Sequence, residues 1–385
     1  MNILHIGKYF SPFNGGIEQV TQSLAEHCAK AGDKVRVLAH EHERGIIGAD
    51  ACGKAHAPGV TVKKVPTWGI LMFTPIAPLF AWYLWRELKQ NPDIIHIHMP
   101  NPSAFWLLLL PSARKAKWLV HWHSDVIDDQ ASAALRLFYR VYRPFERWLL
   151  RRADVVVCTS PNYARHSGAL RDVQHKIRVV PLGVNVGRAY CATTSEPDST
   201  QQPLKLLTVG RLTYYKGHRY LLESIAHLKQ RNVDVIWNIV GTGEEETNLR
   251  KRCTELNLNL CVNFLGRLSD DELQQQFRQC DVFCLPSVER TEAFGIVLME
   301  AMRAEKPCVV TDVPGSGMSY VVSDGVTGRV AKRCDSYPLA SLIEDASLQR
   351  ERWRQMGING RLRLEQYFRS DVVAAQMREV YRGML

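Results

Sequence analysis

The stretch "LKLLTVGRLTYY", residues 204–215, has the same form as the start of the chain, "MNILHIGKYF", residues 1–10. In both, a short apolar run typical of a buried strand ends at a glycine, and a basic residue follows the glycine. A segment with helical periodicity comes next in each case. A strand, a glycine loop and a helix in this order open each half of a doubly wound parallel sheet. The sequence therefore predicts an α/β protein with two Rossmann-like domains.

The rest of the chain alternates strand and helix patterns twice. In the first half, strands are predicted at "DKVRVLAH", "VTVKKVP", "DIIHIHM", "KWLVHWHS", "DVVVCTS" and "KIRVVPLG", with a helix over residues 17–30. In the second half they are predicted at "VIWNIVGTG", "VNFLGRL", "DVFCLPS" and "PCVVTDV", with a helix over "HRYLLESIAHLKQRN". This alternation is typical of parallel sheets that carry helices on both faces.

A polar, turn-rich stretch, "GRAYCATTSEPDSTQQP", separates the two halves and is predicted to be a linker over residues 187–203. We expect a first domain over residues 1–186 and a second over residues 204–369, which suits a chain of 385 residues. The last amphipathic helix, about residues 370–385, is expected to pack back on the first domain. We expect the domains to face each other across a cleft that holds the ligand.

Composition points to a globular, intracellular protein. Apolar residues make up 46% of the chain and charged residues 23%, with no low-complexity tract. The ten cysteines form no C-x-x-C motif, and several lie in apolar runs such as "DVVVCTS", which suits a reducing compartment. The chain starts with a strand rather than a signal peptide, and its apolar runs are too short or too interrupted to span a bilayer. We therefore expect a cytoplasmic protein.

The net charge of +10 is concentrated in the first half. Residues 1–180 contain 23 Lys and Arg against 14 Asp and Glu, whereas residues 181–385 contain 26 against 25. Six of the arginines lie between Arg136 and Arg152, interleaved with aromatic residues. Such a segment favours an anionic membrane surface or a phosphorylated partner, although an amphipathic helix with solvated arginines explains it equally well. Nucleic acid is not expected, because no motif for binding it accompanies the patch.

The stretch "RTEAFGIVLMEAM", residues 290–302, keeps two glutamates in an apolar surrounding. Glu292 is predicted in the loop after a strand, and Gly295 marks the start of a helix that carries Glu300. The amides of residues 294–297 are then unpaired and suit a phosphate. A structural explanation stays open, with Glu292 facing the helix dipole and Glu300 in a surface ion pair.

Two cations and several glycines are predicted at strand ends. Arg211 and Lys216 follow the first strand of the second half, where ligands of such sheets bind, and together they suit a diphosphate. Gly15 and Gly16 precede the first helix and let the backbone approach a ligand, although a plain helix cap is an equal explanation. The "VGTG" loop at Gly241 lacks the third glycine of a dinucleotide fingerprint.

Four histidines occur as two i, i+2 pairs, in "HIHMP" and "HWHSD". With Asp125 they resemble a metal cluster, but no H-E-x-x-H or D-x-D motif stands in the chain, and we expect no metal. His123, at the carboxyl end of its strand, is the better candidate for a hydrogen-bonding or acid/base group.

Taken together, "EAFGIVLMEAM", "GGIE", "HWHSD", "VGRLTYYKG" and "FLGRL" resemble the motifs of retaining glycosyltransferases of the GT-B fold, in family 4 (group 1). The resemblance covers essentially the whole chain. It implies two Rossmann-like domains and metal-independent transfer from a nucleotide sugar with no other cofactor. The variant motifs look most like those of bacterial mannosyltransferases that use GDP-mannose to build lipid-linked polysaccharides.

The resemblance also implies roles for individual residues. Glu292 would hold the donor sugar and His123 would lie near its C6 side, so these two are the candidate catalytic residues. The candidate donor-binding residues are Gly15, Gly16, Arg211, Lys216, Gly241, Leu268, Phe294, Gly295, Ile296 and Glu300. Among them, Arg211 and Lys216 would neutralise the diphosphate, and Glu300 would accept from the ribose hydroxyls. Glu289 is a further carboxylate of this segment without an assigned role.

The implied chemistry separates a diphosphate from an oxocarbenium-like sugar, so stabilising the leaving group is the main requirement. No residue is a clear covalent nucleophile, and a same-face substitution is preferred. The basic first half suits an acceptor on polyprenyl diphosphate, with the protein peripheral at the inner membrane face. A UDP-sugar donor and a non-catalytic, sugar-nucleotide-binding subunit remain alternatives. So do a hydrolase, phosphorylase or epimerase on the same scaffold and a nicotinamide dehydrogenase.

Overall fold

The fold is described from a computed structural model that covers residues 1–11, 16–41, 59–71, 74–126, 133–186 and 202–385. The chain divides into two compact units. Unit 1 comprises Met1–Asn185 and Arg369–Leu385, and unit 2 comprises Val186–Phe368. Most of the predicted linker, residues 187–201, lies outside the described residues.

Unit 1 is built on a parallel sheet. Its strands are β1 (Asn2–Ile6), β2 (Lys34–His40), β3 (Val60–Val65), β4 (Gly69–Leu71), β5 (Thr74–Ile76), β6 (Ile94–Met99), β7 (Lys117–Trp122), β8 (Val155–Cys158) and β9 (Ile177–Val179). Its helices before unit 2 are α1 (Gly16–Lys30), α2 (Phe80–Leu88), α3 (Trp106–Leu109), α4 (Ala133–Arg152) and α5 (Pro161–His166). The described strands of the main sheet pair in the order β3-β2-β1-β6-β7-β8-β9, and β4 and β5 form a separate antiparallel hairpin.

Unit 2 repeats this architecture. Its strands are β10 (Leu204–Val209), β11 (Val235–Val240), β12 (Val262–Gly266), β13 (Val282–Leu285), β14 (Cys308–Thr311) and β15 (Gly328–Ala331). Its helices are α6 (His218–Gln230), α7 (Glu246–Glu255), α8 (Asp270–Gln279), α9 (Ile296–Arg303), α10 (Met318–Val321), α11 (Ser336–Leu348) and α12 (Arg350–Arg363). The strands pair in parallel in the order β12-β11-β10-β13-β14-β15.

The prediction of two doubly wound parallel sheets is confirmed. The apolar runs are continuous because helices cover both faces of each sheet, so that β6, β13 and β14 are buried along their whole length. In unit 2 the indole of Trp237 donates to Thr208 Oγ1 at 3.0 Å, and Thr208 donates to the Cys284 carbonyl at 3.0 Å. These bonds link β11, β10 and β13 just below their carboxyl ends.

A last helix, α13 (Ser370–Arg382), belongs to unit 1. Arg378 Nε donates to Asp33 Oδ2 at 2.8 Å, and Asp33 also pairs with the amino group of Met1 at 3.0 Å. Further along the helix, Tyr381 is fully buried, and its hydroxyl lies 2.5 Å from His96 Nδ1. Residues from the far end of the chain therefore complete the core around β1 and β6.

Candidate functional site

The candidate site lies at the carboxyl edge of the sheet of unit 2. The strand order reverses between β10 and β13, and ligands of doubly wound sheets bind where it does. The Gly210 amide, after β10, donates to the Val240 carbonyl at 2.9 Å, and the Gly241 amide, after β11, donates to the Gly266 carbonyl at 2.7 Å. A Cβ at residue 241 would lie 1.9 Å from the Gly210 carbonyl oxygen. Only glycine lets these two backbones meet.

Lys216 is held at this edge by the turn that follows β10. Residues Tyr214–Lys216 form one turn of 3₁₀ helix, which Gly217 ends with a φ of +68°. A Cβ on Gly217 would lie 2.0 Å from the Pro286 carbonyl oxygen, so the turn lies directly against the end of β13. A Cβ on Gly210 would lie 3.2 Å from Lys216 Nζ, so that glycine also leaves room for the ammonium group.

Lys216 and Glu292 form an ion pair with each other through Lys216 Nζ and Glu292 Oε2. Both side chains are about nine-tenths buried, and Ser287 Oγ donates to the same carboxylate oxygen at 3.4 Å. The sequence assigned the lysine to a diphosphate and the glutamate to a sugar, without a bond between them. The two roles remain compatible, because an ammonium group has three N–H donors and the glutamate occupies one.

The start of α9 presents a row of open backbone amides. Gly295 precedes the helix in the left-handed conformation, with a φ of +80°, and no side chain caps the helix. The carbonyls that would accept from the first turn are those of residues 292–293, and they accept instead from Ser316 Oγ and the Gly317 amide. Among the described residues, the amides of residues 294–297 therefore have no hydrogen-bond partner. Such amides bind anions, and phosphate suits them well.

Glu300 lies in the second turn of α9 and is half-buried. Burial raises the pKa of its carboxyl group to about 7; nearby Arg303 opposes the rise, and Asp270 adds to it. No residue in the described part of the chain donates a hydrogen bond to this side chain or pairs with it. A partly buried carboxyl group without a partner is a candidate for binding a polar ligand.

The other predicted residues of unit 2 follow the same strand ends. Arg211 comes two residues after β10, and its exposed guanidinium has no partner within the described ranges. Leu268 is half-buried between β12 and α8. Phe294 is 3% exposed and its ring packs edge-on against Phe368, so only its backbone is available to a ligand, and Ile296 begins α9.

The predicted residues of unit 1 are two glycines and a histidine. Gly15 lies outside the described residues, and Gly16 is the exposed first residue of α1. Their predicted roles in donor binding stay predictions. His123 follows β7, is 4% exposed, and has its Nε2 3.0 Å from His98 Nδ1. Because burial lowers the pKa of His123 to about 3, its ring is neutral at pH 7.

Asp125, which the sequence placed beside the histidines, is engaged elsewhere. Its Oδ1 accepts from Trp122 Nε1 at 2.9 Å and from Ser167 Oγ at 2.7 Å. Among the described residues, the groups that lie close enough together to hold a metal ion form two sets, and both consist of histidine ring nitrogens only. The Asp125 carboxylate belongs to neither set.

Two family models match the chain. The model for glycosyl transferases of group 1 matches residues 194–363, and the model for a glycosyl transferase 4-like domain matches residues 15–183. The O-antigen chain mannosyltransferase C of Escherichia coli is 30% identical over 391 residues, which cover 100% of this chain and 99% of that protein. The chain belongs to the glycosyl transferases of group 1. The resemblance drawn from the motifs is thus confirmed.

Two further comparisons extend over nearly all of this glycosyltransferase. The D-rhamnosyltransferase WbpZ of Pseudomonas aeruginosa is 28% identical over 96% of this chain and 92% of that protein. The solved structure of HepE from Anabaena, in complex with UDP and glucose, superposes with a TM-score of 0.73 at 20% identity, covering 100% of both chains. The structural likeness shows the fold, which is GT-B.

Helix α4 of the glycosyltransferase carries the basic segment, and its outer surface is apolar as well as basic. Leu137, Val141, Phe145 and Trp148 are each more than two-fifths exposed, at a spacing that puts them on neighbouring turns. Tyr142, by contrast, is 4% exposed and packs inward against Phe105. Of the two explanations left open by the sequence, inward packing thus accounts for only some of the aromatic residues.

The arginines of α4 lie beside this apolar stripe. A shallow groove of about 520 Å³ is lined by Arg140, Arg143, Pro144, Arg147, Trp148 and Arg151. None of the described helices has the length and apolar character to cross a membrane.

Sequence analysis missed Ser316, Gly317 and His5. The first two lie in "PGSGM" directly after β14, and a Gly/Ser turn at the carboxyl end of a parallel strand was a usable signal. His5 is a single histidine in β1, and only the pairing of β1 with β6 places it opposite His96.

Proposed function

We propose that this glycosyltransferase moves a hexose from a nucleotide sugar to a growing glycan, with retention at the anomeric carbon. The favoured donor is GDP-mannose. The observation that carries the proposal is the group assembled at one sheet edge of unit 2: the Lys216–Glu292 ion pair, together with Arg211 and the amides of residues 294–297, which have no partner in the described parts of the chain. The name of the Escherichia coli relative, a mannosyltransferase of the O-antigen chain, supports mannose and a polysaccharide product.

Arg211, Lys216 and the amides of α9 are proposed to bind the donor diphosphate. When the sugar–oxygen bond breaks, negative charge develops on the leaving diphosphate, and fixed cations and amide dipoles stabilise that charge. The ammonium group of Lys216 is held by Glu292, in the space that Gly210 leaves open, before any ligand arrives, so little reorganisation is needed. These groups are proposed to meet the charge without a metal ion or any other cofactor.

The two glutamates and His123 are proposed to position the rest of the donor. Glu300, whose carboxyl group has no partner among the described residues, accepts from the ribose hydroxyls. Glu292 keeps one carboxylate oxygen, Oε1, outside its ion pair with Lys216, and this oxygen is available to a sugar hydroxyl. His123 is proposed to contact the donor sugar.

We favour a same-face substitution in which the departing phosphate takes the proton of the acceptor hydroxyl. The carboxylate best suited to attack as a nucleophile is that of Glu292, and it is already engaged by Lys216 and Ser287. Incubation with a slow, fluorinated donor followed by intact-protein mass spectrometry tests this. A glycosyl group trapped on Glu292 would refute the same-face route.

The acceptor is proposed to be a glycan on polyprenyl diphosphate, with the enzyme cytoplasmic and peripheral at the inner face of the membrane. The support is α4, where exposed apolar residues alternate with arginines over residues 136–152. Aromatic and aliphatic side chains enter the headgroup region, while each arginine near an anionic surface contributes about 1 kcal/mol.

Liposome sedimentation tests the membrane proposal. Replacing Arg140, Arg143 and Arg147 with glutamate is expected to release the protein from vesicles that contain anionic lipid. The matched control carries the same change of charge in unit 2, with glutamate at Arg250, Lys251 and Arg252 of α7, and is expected to stay bound. Equal binding of both variants would discard α4 as the membrane contact.

A panel of nucleotide sugars tests the donor. A donor at 100 times its dissociation constant stabilises the protein by about 2.7 kcal/mol, so thermal shifts with GDP-, UDP-, ADP- and dTDP-sugars identify the base. A UDP-sugar is the second candidate, because the structural neighbour HepE was solved with UDP and glucose. Product analysis with and without an acceptor then separates transfer from hydrolysis, and the absence of any turnover would favour a non-catalytic binding subunit.

A further inference from the structure

Five histidines are buried side by side in the sheet of unit 1. They are His5 on β1, His96 and His98 on β6, His121 on β7, and His123 directly after β7. Each is at most 4% exposed. The proposed function uses only the last of them, so the other four have no assigned purpose.

Three of the rings form a first row, in which ring nitrogens face each other edge to edge. His5 Nδ1 lies 3.1 Å from His98 Nε2, and His98 Nδ1 lies 3.0 Å from His123 Nε2. The ring planes differ by 20° and 10°, and the ring centroids are 5.5 Å and 5.3 Å apart. Rings this nearly coplanar at this separation direct their nitrogens straight at each other, as in a linear N–H···N hydrogen bond.

A second row lies beside the first and holds it in place. His96 Nε2 lies 3.2 Å from His121 Nδ1, and His96 Nδ1 lies 2.5 Å from the hydroxyl of Tyr381. The rings of this row stack on those of the first, His96 on His5 at 4.6 Å and His121 on His123 at 4.2 Å. Stacking on one side and hydrogen bonds at the edges fix the orientation of each ring.

The spacing of these rings suits shared protons better than a metal ion. Two sets of three histidines each have ring nitrogens within 4.8 Å of one another, a grouping that is also found at metal sites. A zinc ion about 2.0–2.1 Å from both His98 Nδ1 and His123 Nε2 would have to lie off the line between them, whereas the nearly coplanar rings direct both nitrogens along that line. Each of these nitrogen pairs is therefore bridged by one proton.

The first row has one proton more than its two hydrogen bonds require. Burial lowers the pKa of His5 and of His123 to about 3, and that of His98 well below its ordinary value, so each ring is neutral at pH 7 and carries one N–H. Two protons lie between the rings. The third lies at one end of the row, on His5 Nε2 or on His123 Nδ1, and neither atom has a hydrogen-bond partner among the described residues.

The hydroxyl of Thr21 determines at which end of the first row the third proton lies. Its hydroxyl donates to the Ile17 carbonyl at 2.8 Å, so it presents a lone pair to His98 Nδ1, 3.4 Å away. A proton on His98 Nδ1 meets that lone pair favourably, whereas a bare nitrogen there does not. With the proton on Nδ1, His98 donates to His123 Nε2 and accepts from His5 Nδ1. The third proton is then on His123 Nδ1, and His5 Nε2 carries a lone pair.

We propose that Thr21 and His98 are positioning residues that fix His123 as the tautomer with its proton on Nδ1. His123 then donates a hydrogen bond and cannot act as a base, because the lone pair of its Nε2 is occupied by His98. The inference rests on the proposed function in one respect, namely that His123 contacts the donor sugar. Its partner there is an oxygen with a free lone pair, such as a sugar hydroxyl.

Long-range ¹H–¹⁵N correlation spectra of the histidine-labelled protein test the tautomer directly. The chain has 13 histidines, and the signals of His123 are assigned as those lost in His123→Gln. We expect Nδ1 to be protonated and Nε2 bare from pH 6 to pH 8, both with a chelator present and with added Zn²⁺. A proton on Nε2, a doubly protonated ring, or a spectrum that changes when the chelator removes a metal would each overturn the proposal.

Thr21→Val and Thr21→Ser form a matched pair of variants. Valine keeps the shape and removes the lone pair, so it is expected to move part of the His123 population to the other tautomer and to lower kcat roughly two- to tenfold, the worth of one hydrogen bond. Serine keeps the hydroxyl and is expected to restore both. An unchanged tautomer in Thr21→Val refutes the role of Thr21.

The spectra are recorded without substrate, so the tautomer and the proposed function fail separately. Should Thr21→Val not fold, the wild-type and Thr21→Ser spectra alone decide the tautomer. If the Nδ1–H tautomer is fixed but the protein has no transferase activity, the proposal that Thr21 and His98 fix the tautomer of His123 still stands. The same result would refute a role of His123 in sugar transfer.

Discussion

Replacing Glu300 with glutamine is expected to stabilise unit 2 and, at the same time, to weaken donor binding. In the free protein the carboxyl group is half-buried on α9 without a partner among the described residues, and its pKa is raised to about 7. Glutamine has the same shape and carries no charge. The variant therefore removes the unfavourable burial of a charge together with the charge itself.

The magnitude follows from the pKa of Glu300. A carboxyl group with a pKa of 4.5 when unfolded and about 7 when folded holds its proton more tightly in the folded state. Wild-type stability therefore falls as pH rises from about 4.5 to about 7 and stays lower above that. Each pKa unit corresponds to about 1.4 kcal/mol, which gives a ceiling of about 3 kcal/mol. Because water still reaches part of the side chain, we expect a difference of about 1–3 kcal/mol.

The assay is urea denaturation of both proteins at pH 5, 6, 7 and 8, followed by fluorescence, with donor binding measured by calorimetry at pH 8. The two free energies of unfolding are expected to differ least at pH 5 and to diverge up to pH 8, with Glu300→Gln the more stable. Donor binding is expected to weaken roughly 10- to 100-fold, since a hydrogen bond to a charged group contributes about 1.5–3 kcal/mol. Glu146, whose pKa burial also raises to about 7, is present in both proteins and cancels.

Glu255→Gln is the control, because Glu255 is exposed on α7 and pairs only at the surface with Arg252. Its stability is expected to stay within about 0.5 kcal/mol of wild type at each pH. A stability difference for Glu300→Gln that does not depend on pH would show that burial of the charge was misjudged. Unchanged donor affinity would show that Glu300 does not touch the nucleotide.

Three further variants probe the same sheet edge. Gly241→Ala is expected to destabilise unit 2 by about 2–4 kcal/mol in denaturant titrations, because its Cβ would meet the Gly210 carbonyl oxygen at 1.9 Å. Gly266→Ala is the control: a Cβ there meets open space and only the positive φ opposes it, so the variant should lose about 1 kcal/mol of stability. Equal losses of stability in the two variants would contradict this. Arg211→Lys keeps the charge but loses the bidentate hydrogen bonds to the donor diphosphate, so donor affinity measured by calorimetry should fall about tenfold. An unchanged affinity would show that Arg211 does not bind the donor. Ser316→Ala frees a carbonyl acceptor for the first turn of α9 and should raise the donor KM a few-fold, whereas an unchanged KM would show that the open amides do not bind the donor.

Sequence reasoning succeeded where the pattern is local. The strand–glycine–helix form at residues 1–10 and 204–215 predicts both sheets, because continuous apolar runs interrupted by helices fit little else. It missed the hairpin of β4 and β5, since a proline at residue 75 and three-residue strands hide the alternation. It missed β15 because four residues carry too little pattern.

For the site, sequence reasoning identified residues but not their bonds. Lys216 and Glu292 were placed at neighbouring strand ends, yet their ion pair joins side chains 76 residues apart and depends on the turn at Gly217 lying against β13. Glycine at residue 295 was enough to predict a helix start. That the amides there stay open depends on Ser316, which no local pattern connects to α9.

Helix α13 sets the order in which the two units mature during synthesis. The sheet of unit 1 is complete once residue 185 has been made, but Asp33 and His96 acquire their partners on α13 only when Arg378 and Tyr381 leave the ribosome. At 5–20 residues per second that delay is about 10–40 s. During this interval the apolar surface that α13 covers is open to chaperones, and unit 2 can fold first.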